Sequence, residues 1–152
     1  MLISAALIVK NEERCLARCL ASLQPVVDEI VIVDTGSTDA SISIAESFGV
    51  KLLHRPWDGD FAAARNYGLE HVSGDVVLYI DADEYVSDRT PPDFREQVAQ
   101  RGEHVAFRVL LRHRPQFTPL REYRMWEHRP DIRFTGVIHE TIVPAIDAVC
   151  DR

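Results

Sequence analysis

Two aspartates that directly follow an apolar run are the sharpest chemical feature of the sequence. The run VVLYI ends at Ile80, and Asp81 and Asp83 come next in the order Asp-Ala-Asp. In an extended segment the side chains at positions i and i+2 point the same way, so we expect both carboxylates to face one cavity. Two carboxylates this close repel each other unless a cation or a proton lies between them. Such oxygen ligands suit Mg²⁺ or Mn²⁺ bound to a diphosphate, and a solvated acidic turn is the simpler alternative.

A second candidate site begins at Asp34, which ends another apolar run and opens the stretch Asp-Thr-Gly-Ser-Thr-Asp. A turn of this kind at the start of a helix offers backbone N–H groups to an anion. An ordinary helix cap by Ser37, Thr38 or Asp39 would explain the same residues. A carboxylate at the end of a buried strand needs a partner, and a nucleobase or a ribose would supply one. Asn11 follows the first apolar run in the same way.

The elements that must position these side chains alternate between strands and helices. Four mainly apolar segments are typical of strands: 2–9, 30–33, 50–53 and 75–80. Helical spacing follows the first three, and Asn11 and Asp60 are placed to cap the first helix and the third, which runs from Phe61 to about His71. This alternation predicts a parallel sheet with helices on its faces and ligands at the carboxyl ends of its strands. Beyond a short helix near 90–100, the segment 104–143 predicts three further strands.

Composition and charge limit the classes of function. The chain has 152 residues, of which 46% are hydrophobic and 27% charged, as in an ordinary globular domain. A net charge of -7 argues against general nucleic-acid binding. The stretch 101–133 differs, because it has eight arginines against four acidic residues; it predicts an anionic ligand or surface, with a salt-bridged strand pair as the alternative. No apolar run could span a bilayer and no basic residue precedes the first run, so we expect a cytoplasmic protein.

Five segments together resemble family 2 glycosyltransferases of the GT-A fold. They are ALIVKNEERCLARCLASL, DEIVIVDTGSTDAS, DFAAARNYGL, VVLYIDADE and RFTGVIHE, and they occur in this order in that family. The resemblance runs from Leu2 to about Val143 and is greatest to bacterial proteins similar to lipooligosaccharide β-1,4-glucosyltransferases. It implies a nucleotide-sugar donor such as UDP-glucose, Mn²⁺ or Mg²⁺ as cofactor, and inversion at the anomeric carbon. It further implies a saccharide or lipid-linked acceptor in cell-envelope (lipopolysaccharide) synthesis, with a peripheral contact at the inner face of the membrane.

The resemblance implies roles for four residues around the nucleoside of the donor. Asp34 would lie beside the uracil. Asn11, Glu12 and Arg65 would surround the rest of the nucleoside. An ion pair is the alternative explanation for Arg65, since one arginine in a helix indicates little by itself.

Around the diphosphate, the resemblance implies that Asp81 approaches the ribose and the phosphates and that Asp83 holds the metal. We assign Glu140 as the general base, because it stands alone among apolar residues, where a carboxylate has little structural reason to be. His139 would contact the diphosphate or its metal. Gly136 would let the chain bend close to the donor. The alternative for Glu140 is a strand-edge residue that faces water.

We expect one domain over 1–152, with a nucleotide-sugar half at 1–88 and an acceptor half at 89–152. Catalytic domains of the family usually continue further, so the acceptor half is expected to be incomplete, and the QxxRW motif of polysaccharide synthases is absent. Two alternatives remain: a non-catalytic nucleotide-sugar-binding domain, and a phosphatase of the haloacid dehalogenase type, in which the Asp-x-Asp pair follows the first strand. A homo-oligomer is left open.

Overall fold

The computed structural model describes residues 1–100, 105–111 and 118–151. Within these ranges the chain forms one sheet with helices packed against it. In chain order the elements are β1 (Ile3–Val9), α1 (Leu16–Leu23), β2 (Glu29–Asp34), α2 (Ser41–Ser47), β3 (Lys51–His54), α3 (Phe61–Leu69), β4 (Val76–Tyr79), α4 (Phe94–Ala99), β5 (Ala106–Leu111), β6 (Leu120–Glu127) and α5 (Val143–Cys150). Of the helices in these ranges, none combines the length and the apolar composition needed to cross a membrane.

The sheet is mostly parallel, as the alternation of elements predicts. Its six strands lie in the order β3-β2-β1-β4-β6-β5. β1 pairs in parallel with both β2 and β4, and β2 pairs in parallel with β3. β6 runs antiparallel to β4 and to β5. The carboxyl ends of the first four strands therefore share one edge, which is where the candidate site residues were expected.

Helices cover both faces of the sheet, because side chains along each strand alternate between the faces. Ile3 and Leu7 of β1 belong to one apolar cluster, together with side chains of α1, α2 and α4. Ala6 belongs to a second cluster, which contains side chains of α3 and α5. The continuous apolar character of β1 thus reflects burial on both sides.

Small residues let α3 pack close to the sheet and bring a charged side chain into the interior. A Cβ at Gly68 would lie 3.2 Å from the Cγ2 of Val33, so the helix already sits against β2. Asp60 caps the helix as predicted, since its side chain accepts a hydrogen bond from the Ala63 N–H at 2.8 Å. The same packing buries Arg65, in the middle of α3, to 9% exposure.

The segment after β1 differs from the prediction that Asn11 caps the first helix. α1 begins only at Leu16, and its N-cap residue is Cys15. Asn11 has a φ of +58°, and its side chain accepts a hydrogen bond from the Thr38 N–H at 2.7 Å. Asn11 therefore joins the loop after β1 to the loop after β2 rather than starting α1.

The prediction of a third strand in the segment 104–143 is wrong, because no strand follows β6 in the described residues. An isolated bridge between Thr135 and Thr141 closes a loop there instead. Gly136 and His139 have φ values of +97° and +57°, which an extended strand does not contain. From Val143 the chain forms α5, which was not predicted. The loop presents Glu140 to the sheet edge, so the error in secondary structure falls at the candidate base.

Candidate active site

The loops that follow β1 and β2 are fastened together by hydrogen bonds. The Asn11 N–H donates to the Ser37 Oγ at 3.0 Å, and the Glu12 N–H donates to the Ser41 Oγ at 2.7 Å. With the Asn11–Thr38 contact described above, these bonds fix the two loops side by side at the carboxyl edge of the sheet. Asn11 and Glu12 are thus brought next to the turn that follows Asp34, as their predicted shared site requires.

Asp34 is 4% exposed and finds its partners within its own turn. Its carboxylate accepts hydrogen bonds from the Gly36 N–H and the Ser37 N–H, both at 3.1 Å. The Nδ1 of His54, at the end of the neighbouring β3, lies 3.7 Å from Oδ2. A ligand is therefore not needed to satisfy Asp34. A carboxylate offers about four lone-pair positions, so one more donor can still be accepted.

Arg65 joins two carboxylates that lie far apart in the sequence. Its Nη2 donates to the Asp81 Oδ1 at 2.9 Å, and its Nε donates to the Glu140 Oε1 at 2.6 Å. Its guanidinium also lies 4.2 Å from the centre of the Tyr79 ring. The Glu140 side chain is 12% exposed. Glu140 is thus not a carboxylate without a structural partner, which corrects the argument from its apolar neighbours.

A second buried arginine, which the sequence analysis did not single out, binds the same aspartate. The Nη1 of Arg124 donates to the Asp81 Oδ2 at 3.2 Å, and the Tyr79 hydroxyl donates to that oxygen at the same distance. Arg124 also pairs with Glu84. The sequence does contain a signal that Arg124 is buried. It lies directly before Met125 and Trp126, two large apolar residues that pack in the core.

Charge in this cluster is unevenly balanced. Burial alone would raise the pKa of Asp81, but Arg65 and Arg124 outweigh it and hold that pKa below its ordinary value. Burial raises the pKa of Glu84, and the charges of Asp81 and Asp83 add to this effect. Counting Glu140 and the more exposed Glu122, four carboxylates face two guanidiniums, with Asp83 beyond them. Added positive charge is therefore favoured at this edge of the sheet.

Asp83 differs from Asp81 in both exposure and partners. The segment was predicted to be extended, but it forms a turn. The Glu84 N–H donates to the Asp81 carbonyl at 3.0 Å and closes that turn. Asp83 is exposed on this turn and makes no hydrogen bond or ion pair with any residue that the structure describes. Both oxygens of Asp81, in contrast, are occupied by arginines. Asp83 therefore has the more available carboxylate of the pair.

A divalent cation fits this site on one condition. The described part of the chain contains no group of three His, Cys, Asp or Glu side chains that could share a metal ion. Mg²⁺, however, is commonly held by one or two carboxylates together with the phosphates of a substrate. Asp83 fits that arrangement if a diphosphate supplies the remaining oxygens.

The other predicted residues are placed less tightly. His139 is exposed beside Glu140 and makes no hydrogen bond with another predicted site residue among those described. In the basic stretch, Arg129 pairs with Asp131 and Arg133 donates to backbone carbonyls. These partners favour the salt-bridged alternative. Arg101, Arg112 and Arg114 lie outside the described residues.

Comparison with known sequences identifies the family. The model of glycosyl transferase family 2 matches residues 4–146. A TPR repeat-containing protein of Synechococcus elongatus is 41% identical over 142 residues, which are 92% of this chain and 35% of that protein. LpsC of Rhizobium meliloti is a lipopolysaccharide core biosynthesis glycosyltransferase. It is 33% identical over an alignment 160 residues long, which covers 93% of this chain and 57% of LpsC. The chain thus spans between about a third and somewhat over half of these relatives.

Solved structures agree with the family in fold. The crystal structure of S. aureus TarS 1-349 has a TM-score of 0.64 at 21% identity, covering 89% of this chain and 50% of that one. The mannosyltransferase PcManGT of Pyrobaculum calidifontis, solved with GDP-Man and Mn²⁺, has a TM-score of 0.61 at 21% identity, covering 75% and 36%. The mostly parallel sheet with helices on both faces is the GT-A fold, and the chain belongs to glycosyl transferase family 2.

Proposed function

We propose that the chain is the donor-binding and catalytic part of an inverting, metal-dependent glycosyltransferase. It would move a hexose from a UDP-sugar to a saccharide or lipid-linked acceptor. LpsC is named for lipopolysaccharide core biosynthesis, which supports an acceptor in the cell envelope. TarS has been solved with UDP and with UDP-GlcNAc, which supports a uridine donor.

The observation that carries the proposal is the link from Arg65 to both Asp81 and Glu140 at the carboxyl edge of the sheet. Asp81 belongs to the turn that carries Asp83, where a diphosphate would be held. Glu140 lies on the loop before α5, in the half of the chain that we expect to face the acceptor. One buried guanidinium thus sets the carboxylate of the proposed base relative to the proposed donor site. Membership of the family leaves the phosphatase alternative without support.

The donor would extend along the edge of the sheet. Asp34 would accept a hydrogen bond from the uracil, beside the interlocked loops of Asn11 and Glu12. Asp81, fixed by its arginines, would border the ribose and the diphosphate. His139, exposed on the loop before α5, would contact the phosphates. When bound, Mn²⁺ or Mg²⁺ supplies positive charge to the departing diphosphate, and Asp83 is the residue that would hold it.

The reaction would be a single displacement. The acceptor hydroxyl attacks the anomeric carbon while the bond from that carbon to the diphosphate oxygen breaks, which inverts the configuration. Glu140 takes the hydroxyl proton on Oε2, because Oε1 already accepts the hydrogen bond from Arg65. Arg65 thus orients the base without consuming the oxygen that must receive the proton.

Replacement of Asp83 by alanine tests the proposed function. We expect Mn²⁺ to strengthen UDP binding to the wild-type chain, and the variant to lose that gain by at least the roughly 10–100-fold that supporting residues contribute at metal sites. The fold should persist, because Asp83 is exposed. Calorimetric titration with UDP, with Mn²⁺ or with EDTA, measures this. An Asp88→Ala variant, altered at an exposed aspartate further along the chain, is the matched control. Unchanged Mn²⁺-dependent affinity in Asp83→Ala would contradict the assignment.

Discrimination between uracil and cytosine tests Asp34. The N3–H of uracil can donate a hydrogen bond to a carboxylate. The N3 of cytosine has no hydrogen and is itself an acceptor. We expect UDP to bind more tightly than CDP by roughly 1–3 kcal/mol, the usual cost of a buried acceptor left without a donor, because the N3 of cytosine would face the carboxylate with no hydrogen between them. Competition titrations with the two nucleotides at one Mn²⁺ concentration give the difference. Equal affinities would remove Asp34 from the uracil site.

A further inference from the structure

Arg124 is a buried cation in the antiparallel part of the sheet. Its side chain is 9% exposed. A guanidinium is costly to withdraw from water unless ionised partners replace the lost hydration. Its carboxylate partners are Asp81, Glu84 and the more exposed Glu122. The first two belong to one turn, so the interior of the sheet is tied to that turn in particular.

The turn from Asp81 to Glu84 is closed by three kinds of contact. The Glu84 N–H donates to the Asp81 carbonyl at 3.0 Å. In return, the Asp81 N–H donates to the Glu84 Oε2 at 3.0 Å. Arg124 then bridges the ends, because its Nη1 reaches the Asp81 Oδ2 and the Glu84 Oε2, each at 3.2 Å, and its Nη2 reaches the Glu84 Oε1 at 3.2 Å. A planar fork makes these contacts together, which the single ammonium of lysine does not.

Asp83 is the third residue of this turn and does not contact Arg124. Arg65 also holds Asp81, from the side of α3, but it does not bind Glu84. The half of the turn that follows Asp83 therefore depends on Arg124 for its cationic partner. The position of Asp83 is thus set by an arginine on β6.

We propose that Arg124 is a positioning residue for the donor, which fixes the Asp81–Glu84 turn so that Asp83 meets the diphosphate and its cation. The inference rests on the proposed function, because it needs a nucleotide diphosphate at Asp83. Residues that orient a metal ligand without touching the metal typically contribute about 10–100-fold to its affinity. Arg124 belongs to the basic stretch 101–133 in the sequence, but its side chain serves this turn and does not face an anionic surface.

The test compares Arg124→Lys with the wild-type chain in titrations with UDP, once with Mn²⁺ and once with EDTA. Lysine keeps the positive charge and loses the fork. We expect Mn²⁺-dependent affinity to fall by about 10–100-fold and metal-free affinity to stay within about twofold. Arg95→Lys is the matched control, since the Nη2 of Arg95 donates to both carboxylate oxygens of Asp28 at the opposite edge of the sheet. It should leave both affinities unchanged.

Two results overturn the inference: wild-type Mn²⁺-dependent affinity in Arg124→Lys, or an equal loss with and without Mn²⁺, which indicates general structural damage. If Arg124→Lys does not fold, Glu84→Ala decides, because it removes the other half of the bridge at a partly exposed position. The same selective loss is expected there, and wild-type affinity would again overturn the inference. A wild-type chain whose UDP binding does not respond to Mn²⁺ contradicts the metal site of the proposed function itself, and the inference with it.

Discussion

Glu140→Gln is expected to lower turnover by roughly 10²–10⁴-fold while UDP affinity stays nearly unchanged. Glutamine has almost the same shape, and its amide oxygen can still accept the hydrogen bond that Arg65 donates. It cannot take a proton from the acceptor hydroxyl. The loss should therefore appear in kcat rather than in donor binding. Steady-state turnover of UDP-glucose, with UDP affinity measured separately by titration, checks both parts of the expectation.

Two further variants sharpen this result. Glu70→Gln alters an exposed carboxylate just beyond α3 and should leave turnover unchanged. His139→Ala should instead weaken donor binding, because His139 is proposed to contact the phosphates and not the acceptor hydroxyl. Near-normal turnover in Glu140→Gln would place the general base on another residue. Equal losses in Glu140→Gln and His139→Ala, both in donor affinity, would make Glu140 a binding residue.

The strand-end residues could be predicted from the sequence because one rule places them. Buried parallel strands read as continuous apolar runs, and their carboxyl ends share an edge. Asn11, Asp34 and Asp81 follow three such runs, so their convergence needed no knowledge of side-chain contacts. The cap at Asp60 was equally local, since it depends on the residues that follow it directly.

The contacts of the charged cluster could not be predicted in the same way. Arg65, Asp81 and Glu140 lie on three separate elements, and no local pattern states which carboxylate a buried arginine will meet. The sequence neighbours of Glu140 are apolar, whereas its partner comes from α3. The loop before α5 was mistaken for a strand because positive φ at His139 is a property of the tertiary fold and not of residue type.

Removing the guanidinium of Arg65 should destabilise the whole fold and not only the site. We expect Arg65→Met to lower the free energy of unfolding by about 2–4 kcal/mol at neutral pH, since it leaves Asp81 and Glu140 without a shared cation. This is below the value for a fully buried pair, because the Asp81 side chain is 33% exposed and still meets Arg124. Urea unfolding followed by circular dichroism measures the change. Arg55→Met, which breaks a more exposed pair with Asp58, is the matched control and should change stability little.

The effect of Arg65→Met should also depend on pH, with a sign set by Asp81. The pKa of Asp81 in the folded chain lies below its ordinary value of 3.8, so its carboxylate stabilises the fold above that pH and stops doing so as the pH falls through the folded pKa. In Arg65→Met, the buried Asp81 carboxylate has one cation fewer, which raises its pKa. Protonation then removes the charge that destabilises the variant. The stability gap between wild type and variant should therefore narrow as the pH is lowered from about 7 to about 3. A gap that stays constant or widens over this range would show that Arg65 stabilises the fold through packing against Tyr79, and not through its carboxylates.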